Sequence, residues 1–235
     1  MSLAIEGLHA GYGQGHILQG VSFAVAPRQI AGIVGRNGSG RSTTLKAIVG
    51  LVPPQAGSVR LGDRELAGRK AHEIIRAGIA YVPEDRQVFE NLTVEENLVL
   101  GRQDPGGDRV AWSAAQMYDY FPRLKERRNT RAGNLSGGEQ QMLTICRSLL
   151  GAPKVILIDE PTEGLAPHIV ARVVEVIEDI RRQGVAVVLV EQKLTIALKI
   201  CDIIHVVGHG QVVHSGPPAE IRDNQEIRQR WLEVA

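Results

Sequence analysis

The spacing of apolar and polar residues changes period several times along the chain. Residues 3–8 and 17–25 alternate as half-buried strands do, with a turn around 11–15 between them. Residues 30–34 form a short apolar run leading into a glycine-rich turn, and 41–49 then take helical character, ending at Gly50. Ala71–Ala77 reads as a short helix and 79–83 as a buried strand. From about Glu90 to Leu150 the pattern is helical over 93–100, 112–124 and 137–150, with a surface loop at 103–108 carrying Pro105 and two glycines. The second half alternates apolar runs at 155–158, 185–190 and 203–207 with helical stretches at 169–182 and 194–201. Strands separated by helices of this length predict a parallel sheet with crossover helices. Gly208 and Gly210 mark a turn before a last strand at 211–215, and 218–234 reads as one or two short helices.

Composition narrows the class without naming a function. The 235 residues suffice for a substantial core, and 43% are hydrophobic. With 27 Lys and Arg against 26 Asp and Glu, the net charge of +1 gives no footprint for nucleic acid. The longest strongly apolar runs, such as 185–190, are too short to span a bilayer. The first residues lack the basic and apolar regions of a signal peptide. Cys146 and Cys201 lie in apolar, helix-like segments and are expected as buried free thiols in a reducing cytoplasm. The expectation is a cytoplasmic chain whose membrane role, if any, comes through a partner.

Candidate chemistry sits at the segment joins. Gly35, Arg36, Asn37, Gly38, Ser39, Gly40, Arg41, Ser42 and Thr43 fit the phosphate-loop pattern G-x-x-x-x-G-K-[ST] except at Arg41. The glycines allow successive backbone N–H groups to turn inward on phosphate oxygens, and the following helix adds its positive end. Ser42 supplies a hydroxyl suited to Mg²⁺. A glycine-rich strand-to-helix turn can also be purely structural, so the loop alone does not decide. Arginine retains the charge of the usual lysine, but its planar fork is not equivalent to a compact ammonium. The expected result is nucleotide binding with slow turnover.

Two further motifs follow. Leu135, Ser136, Gly137, Gly138, Glu139, Gln140 and Gln141 open a helical stretch that runs to Leu150, and 156–162 reads Ile-Leu-Ile-Asp-Glu-Pro-Thr. The order and spacing of the three motifs resemble the ATP-binding subunits of ATP-binding cassette (ABC) transporters over essentially the whole chain. The resemblance implies an α/β fold: a phosphate-loop NTPase core (1–89 and 151–215) with an N-terminal antiparallel β subdomain. It also implies an inserted helical subdomain (90–150) and C-terminal helices (216–235), all within one ABC ATPase domain.

Residue by residue, the resemblance implies ATP and Mg²⁺ as ligands. Asp159, Ser42 and Glu84 are then candidates for the metal, and Glu160 for the general base that polarises the attacking water. Glu84 stands where most ABC ATPases have glutamine, Gln192 where most have a histidine near the γ-phosphate, and Ala166 where aspartate is common. These exchanges resemble the branch that imports branched-chain and related hydrophobic amino acids or amides, in which Arg41 is not usual. Tyr12 matches the aromatic that stacks on adenine. The segment Leu135–Gln140 is expected to act on a partner's nucleotide, although Ser136 also suits a plain helix cap.

The expected partners are a second ABC ATPase, with a heterodimer favoured, transmembrane permease subunits, and indirectly a solute-binding protein. The expected place is the cytoplasmic face of the cell membrane. Val88 and Phe89 are candidates for contact with the membrane subunit, whereas Trp112, Tyr118, Tyr120 and Phe121 suit helical packing. An alternative reading is a regulatory subunit with weak hydrolysis that completes a partner's active site. A non-transport ABC ATPase acting on nucleic acid lacks support from any basic surplus or second cassette.

Overall fold

The computed structural model describes residues 1–103 and 109–232, so most of the loop expected at 103–108 and the last three residues lie outside the described part. Strands β1 (Leu3–Tyr12) and β2 (Gly15–Val25) pair antiparallel. On β1 the inward residues are Leu3 and Ile5, then Leu8 and Ala10. The alternation changes phase at a bulge, where Gly7 takes φ +55°. Gly57 of the neighbouring strand lies so close that a Cβ there would stand 2.3 Å from the Gly7 carbonyl oxygen. β3 (Ile30–Val34), buried throughout, runs into the glycine-rich loop and α1 (Arg41–Ile48). β4 (Pro54–Leu61) and β5 (Arg64–Glu65) complete a four-stranded sheet in the order β2-β1-β4-β5. The sequence pattern gave no sign of β4 and β5, because exposed residues at 55–57 interrupt the alternation.

After α2 (Ala71–Ala77) and β6 (Ile79–Val82) comes a run of helices: α3 (Val94–Gly101), α4 (Ala114–Tyr120), α5 (Pro122–Glu126) and α6 (Gly137–Leu149). The single helix expected over 112–124 is thus two. Phe121 leaves the helical region at ψ 80°, and Pro122, which has no N–H to continue a helix, starts the next one. Trp112, Met117, Phe121 and Leu124 are buried in the core shared with α6, as packing residues should be.

β7 (Val155–Asp159), α7 (Pro167–Arg182), β8 (Ala186–Val190), α8 (Leu194–Ile200), β9 (Ile203–Gly208), β10 (Gln211–Gly216) and α9 (Pro218–Asp223) follow. The tail ends in short helical turns over 225–232. The second sheet has the order β10-β9-β3-β8-β7-β6, parallel from β9 to β6. β6 and β7 are neighbours although α3–α6 separate them in sequence.

Two cores cover the faces of this sheet. Ile156 and Ile158 of β7 join the core containing α3–α8, whereas Val155 and Leu157 join the core facing the first sheet and α1. This double coverage explains the unbroken apolar runs of the parallel strands. Cys146 and Cys201 are free and buried, and burial pushes the Cys201 thiol up to about 12. Cys201 fills space that only a glycine at 32 leaves open, since a Cβ there would lie 2.7 Å from its Sγ. Among the described residues, no helix is long and apolar enough to cross a membrane.

Candidate active site

The carboxyl ends of β3, β6, β7 and β8 point to one edge of the sheet, where open α/β sheets place their ligands. There the loop after β3, Glu84 beyond β6, Glu160 and Glu163 beyond β7, and Gln192 beyond β8 line a cavity of about 360 Å³. Asn37, Gly38, Gly40, Arg41, Ser42 and Thr43 form one wall, and Ile17 of β2 contributes an apolar edge.

The loop keeps its shape through Gly38 and Gly40, at φ +78° and +105°. Ser39 closes a turn by donating its N–H to the Arg36 carbonyl at 3.1 Å. No side chain caps α1, whose N-terminus opens at Gly40 beside the cavity. Gly35 and Ser39 are not part of the lining. A Cβ on Gly35 would meet the Val207 carbonyl oxygen at 2.3 Å, so this position serves close backbone packing. Ser39 is buried and lines instead a smaller cavity with Arg36, Gly208 and Trp231.

Three carboxylates from β7 and its neighbours differ in environment. Asp159 is 1% exposed. Its Oδ1 accepts the Ser42 hydroxyl at 3.0 Å and its Oδ2 the Tyr81 hydroxyl at 3.2 Å. Burial raises the Asp159 pKa, and these donors only partly oppose that. Glu160 follows with φ +43°, a conformation that side-chain-bearing residues rarely adopt, and its N–H is held by the Val190 carbonyl at 3.0 Å. Burial raises its carboxyl to about 7, against the pull of Arg41 and with help from Glu163 and Glu84. Glu84 is also raised, by burial first and then by Asp159 and Glu163.

The metal candidates divide between two places. Ser42 and Asp159 are in direct contact, while Glu84 offers an oxygen within 4.8 Å of oxygens on Glu160 and Glu163. These oxygen donors, and a buried carboxylate whose charge lacks water, fit a hard divalent cation such as Mg²⁺.

Arg41 is 6% exposed and faces inward. Its Nη2 lies 2.8 Å from Glu160 Oε1 and donates to Asn37 Oδ1 at 3.1 Å, and its Nη1 donates to the Glu191 carbonyl at 3.0 Å. Gln192 Nε2 donates to the same Asn37 oxygen at 3.3 Å. The Glu191 side chain accepts from Thr162 Oγ1 at 2.9 Å, fixing the strand end that receives Arg41.

Tyr12 stands apart from this group: it is 53% exposed at the end of β1 and does not line the cavity. None of Leu135, Ser136, Gly137, Gly138, Glu139 and Gln140 lines it either. Ser136 caps α6, accepting the Glu139 N–H at 3.3 Å while Glu139 Oε2 takes the Ser136 N–H at 2.8 Å. Burial works to raise the Glu139 carboxyl, but the Ser136 donors and Arg127 hold it below its ordinary value. Gln140 donates to the Ala132 carbonyl at 3.1 Å.

Sequence reasoning missed Tyr81, Glu163 and Arg86. Tyr81 and Glu163 flank motif residues, and only the fold turns them toward Asp159 and Glu160. Arg86, at φ +56°, reaches the Glu163 carbonyl at 3.3 Å and packs against Gly137, where a Cβ would lie 2.1 Å from its Nη1. It links the loop after β6 to the start of α6.

Comparisons with known proteins agree with this architecture. The family model described as ABC transporter matches residues 18–163. The high-affinity branched-chain amino acid transport ATP-binding protein BraG of Pseudomonas aeruginosa is 42% identical over 98% of this chain and 99% of its own. The probable branched-chain amino acid transport ATP-binding protein LivF of Archaeoglobus fulgidus is 35% identical over 97% of each. A solved nucleotide-free ATP-binding cassette from an ABC transporter superposes with a TM-score of 0.83, at 25% identity over 97% of both chains. The chain belongs to the ABC transporter family and is an ATPase of the ATP-binding-cassette type.

Proposed function

We propose that this ATPase energises an importer of branched-chain amino acids or related hydrophobic amino acids or amides. The observation that carries the reading is the convergence of Arg41, Ser42 and Glu160 on one cavity at the sheet edge, with Asp159 held behind Ser42, in a chain 42% identical to BraG.

The roles follow from the geometry. Asn37, Gly38, Gly40 and Thr43 would surround the phosphates with the start of α1 behind them, and Tyr12 would stack on the base from the exposed rim. Gly35 and Ser39 would act through the loop's backbone. Ser42, Asp159 and Glu84 would hold Mg²⁺, which when bound offsets phosphate charge. Glu160 would take a proton from the attacking water, and a carboxyl near neutrality suits that task. Gln192, tethered to Asn37, would face the terminal phosphate.

Leu135–Gln140 would complete the nucleotide site of a second ABC ATPase, since this chain's cavity does not use them. A heterodimer is favoured: a partner with lysine in its loop would supply the faster site, while this chain supplies an intact helix cap. The chain would sit on the cytoplasmic membrane face through permease subunits, with a solute-binding protein acting indirectly. Phe89 supports this attachment. It is 51% exposed, held under the Arg147 guanidinium at 4.8 Å, and borders a groove with Ile75 and Leu100.

The test is Mg²⁺-dependent ATP turnover by the purified chain beside Arg41→Lys, with Glu160→Gln as baseline. Faster turnover by Arg41→Lys, by on the order of 10²-fold, is expected if arginine misplaces the charge. Equal rates above baseline would show that Arg41 serves as well as lysine. Such a result would remove the case for a slow site.

A further inference from the structure

Arg41 stands where the phosphate-loop pattern has lysine, and its contacts differ from those of a cation held ready for phosphate alone. Its two terminal nitrogens reach acceptors from three separate segments: Asn37 in the loop, Glu160 after β7 and the Glu191 carbonyl after β8. Both members of the Arg41–Glu160 pair are nearly buried, with side chains 6% and 10% exposed. In so little water the attraction between the guanidinium and the ionised carboxylate is weakly screened, and Arg41 cannot leave without a replacement partner. A lysine ammonium has one donor centre instead of two. Its three N–H donors radiate from a single nitrogen, so it lacks the two-pronged hold on the Glu191 carbonyl and Glu160.

We propose that Arg41 is a positioning residue for Glu160: it ties the base to the phosphate loop, so that phosphate capture and release of the base compete for one guanidinium. The proposal rests on the reading of this cavity as the nucleotide site. A phosphate entering the loop draws Arg41 toward itself, loosening the carboxylate that sits beside the attacking water. Glu160 thereby becomes available only when phosphate is present. The same competition weakens phosphate binding, because the ion pair must be given up. In this chain the two-pronged arginine makes base release and nucleotide affinity more tightly interdependent than a lysine would.

A double-mutant cycle on binding tests this without relying on turnover. The native chain, Arg41→Lys, Glu160→Gln and the double variant are titrated calorimetrically with ADP at pH 8, where Glu160 is ionised, and in EDTA, so that no metal contributes. Removing the Glu160 charge releases Arg41, so Glu160→Gln is expected to raise ADP affinity on the order of tenfold in the native background. In the Arg41→Lys background the gain falls below about twofold. Both exchanges nearly preserve side-chain volume, and Glu160→Ala serves as a second charge-removing variant with the same expected ratio. Equal gains in both backgrounds, or no gain in either, would overturn the coupling while leaving the nucleotide site intact. Absence of ADP binding in all four proteins would overturn both.

Discussion

Ser42 Oγ donates to Asp159 Oδ1 at 3.0 Å, joining the start of α1 to the end of β7 although β8 lies between their parent strands in the sheet. The hydroxyl therefore has two tasks: it fixes a buried carboxylate and offers an oxygen for the cation. Ser42→Ala is expected to raise the Mg²⁺ concentration needed for half-maximal ATP turnover by on the order of 10–100-fold. It should also lower stability by about 1–3 kcal/mol, because Asp159 Oδ1 loses its donor in the interior. A Mg²⁺ titration of turnover checks the first effect and urea unfolding the second. An unchanged Mg²⁺ dependence would remove Ser42 from the metal site.

Glu160 makes stability depend on pH in a defined direction. Its carboxyl is raised in the fold from the usual 4.5 to about 7, chiefly by burial. Between these values the folded chain holds a proton that the unfolded chain has released, so stability falls as pH rises through this window. The contribution is fully present below 4.5 and gone above about 7. Thermal unfolding without divalent metal should therefore show Tm of the native chain falling relative to Glu160→Gln from pH 5 toward 7. Parallel curves would mean that the fold does not shift this carboxyl. Added Mg²⁺ should reduce the difference, because a nearby cation favours the ionised form.

The site was legible in the sequence where its chemistry is contiguous. Gly38 and Gly40 must take positive φ, and Ser42 follows at fixed spacing, so nine neighbouring residues announce the loop. Asp159 and Glu160 were legible as acids ending an apolar run. What could not be read are contacts that only the sheet order creates. No local pattern tells that Tyr81 on β6 will donate to Asp159 on β7, or that the Arg41 fork will close on Glu160 and the Glu191 carbonyl. The fold shows the same division. The parallel core was visible because both faces of β7 and β8 are covered and their residues are uniformly apolar. β4 and β5 were invisible because Pro54–Leu61 is half exposed and Gly57 replaces a side chain with close backbone approach.

Ser136 and Glu139 satisfy each other at the start of α6, and this structural task can be separated from any action on a partner. Ser136→Ala should lower stability by about 1 kcal/mol through loss of the cap. Ser136→Asp keeps an oxygen for the Glu139 N–H, but it loses the hydroxyl that donates to Glu139 Oε2 at 2.8 Å and sets two carboxylates together, so its stability should not exceed that of Ser136→Ala. It also places a second negative charge at the position proposed to meet a partner's phosphate. The expected outcome is a folded protein, no more stable than Ser136→Ala by urea midpoint, that supports turnover by a partner ATPase far less than Ser136→Ala does. Full activity of Ser136→Asp in the mixed dimer would confine this residue to capping.

Trp231 joins the tail to the phosphate loop from behind. Its ring lies against Gly208, where a Cβ would stand 2.2 Å from a ring carbon, and His209 meets it edge-on with centroids 5.4 Å apart. Arg36 of the loop donates to the Gln229 carbonyl at 3.0 Å, and the Gly210 N–H reaches the Ser39 carbonyl at 3.0 Å. The tail and the β9–β10 turn thus both touch the loop that lines the cavity. Gly208→Ala should displace the indole and lower stability by about 1–3 kcal/mol, as overfilling a packed contact does. In a Trp231→Ala background the added methyl has room, and the same substitution should change stability by less than about 0.5 kcal/mol. Urea unfolding of the four proteins measures the difference. An equal loss in both backgrounds would place the strain in the β9 backbone and not in the contact between Gly208 and the indole.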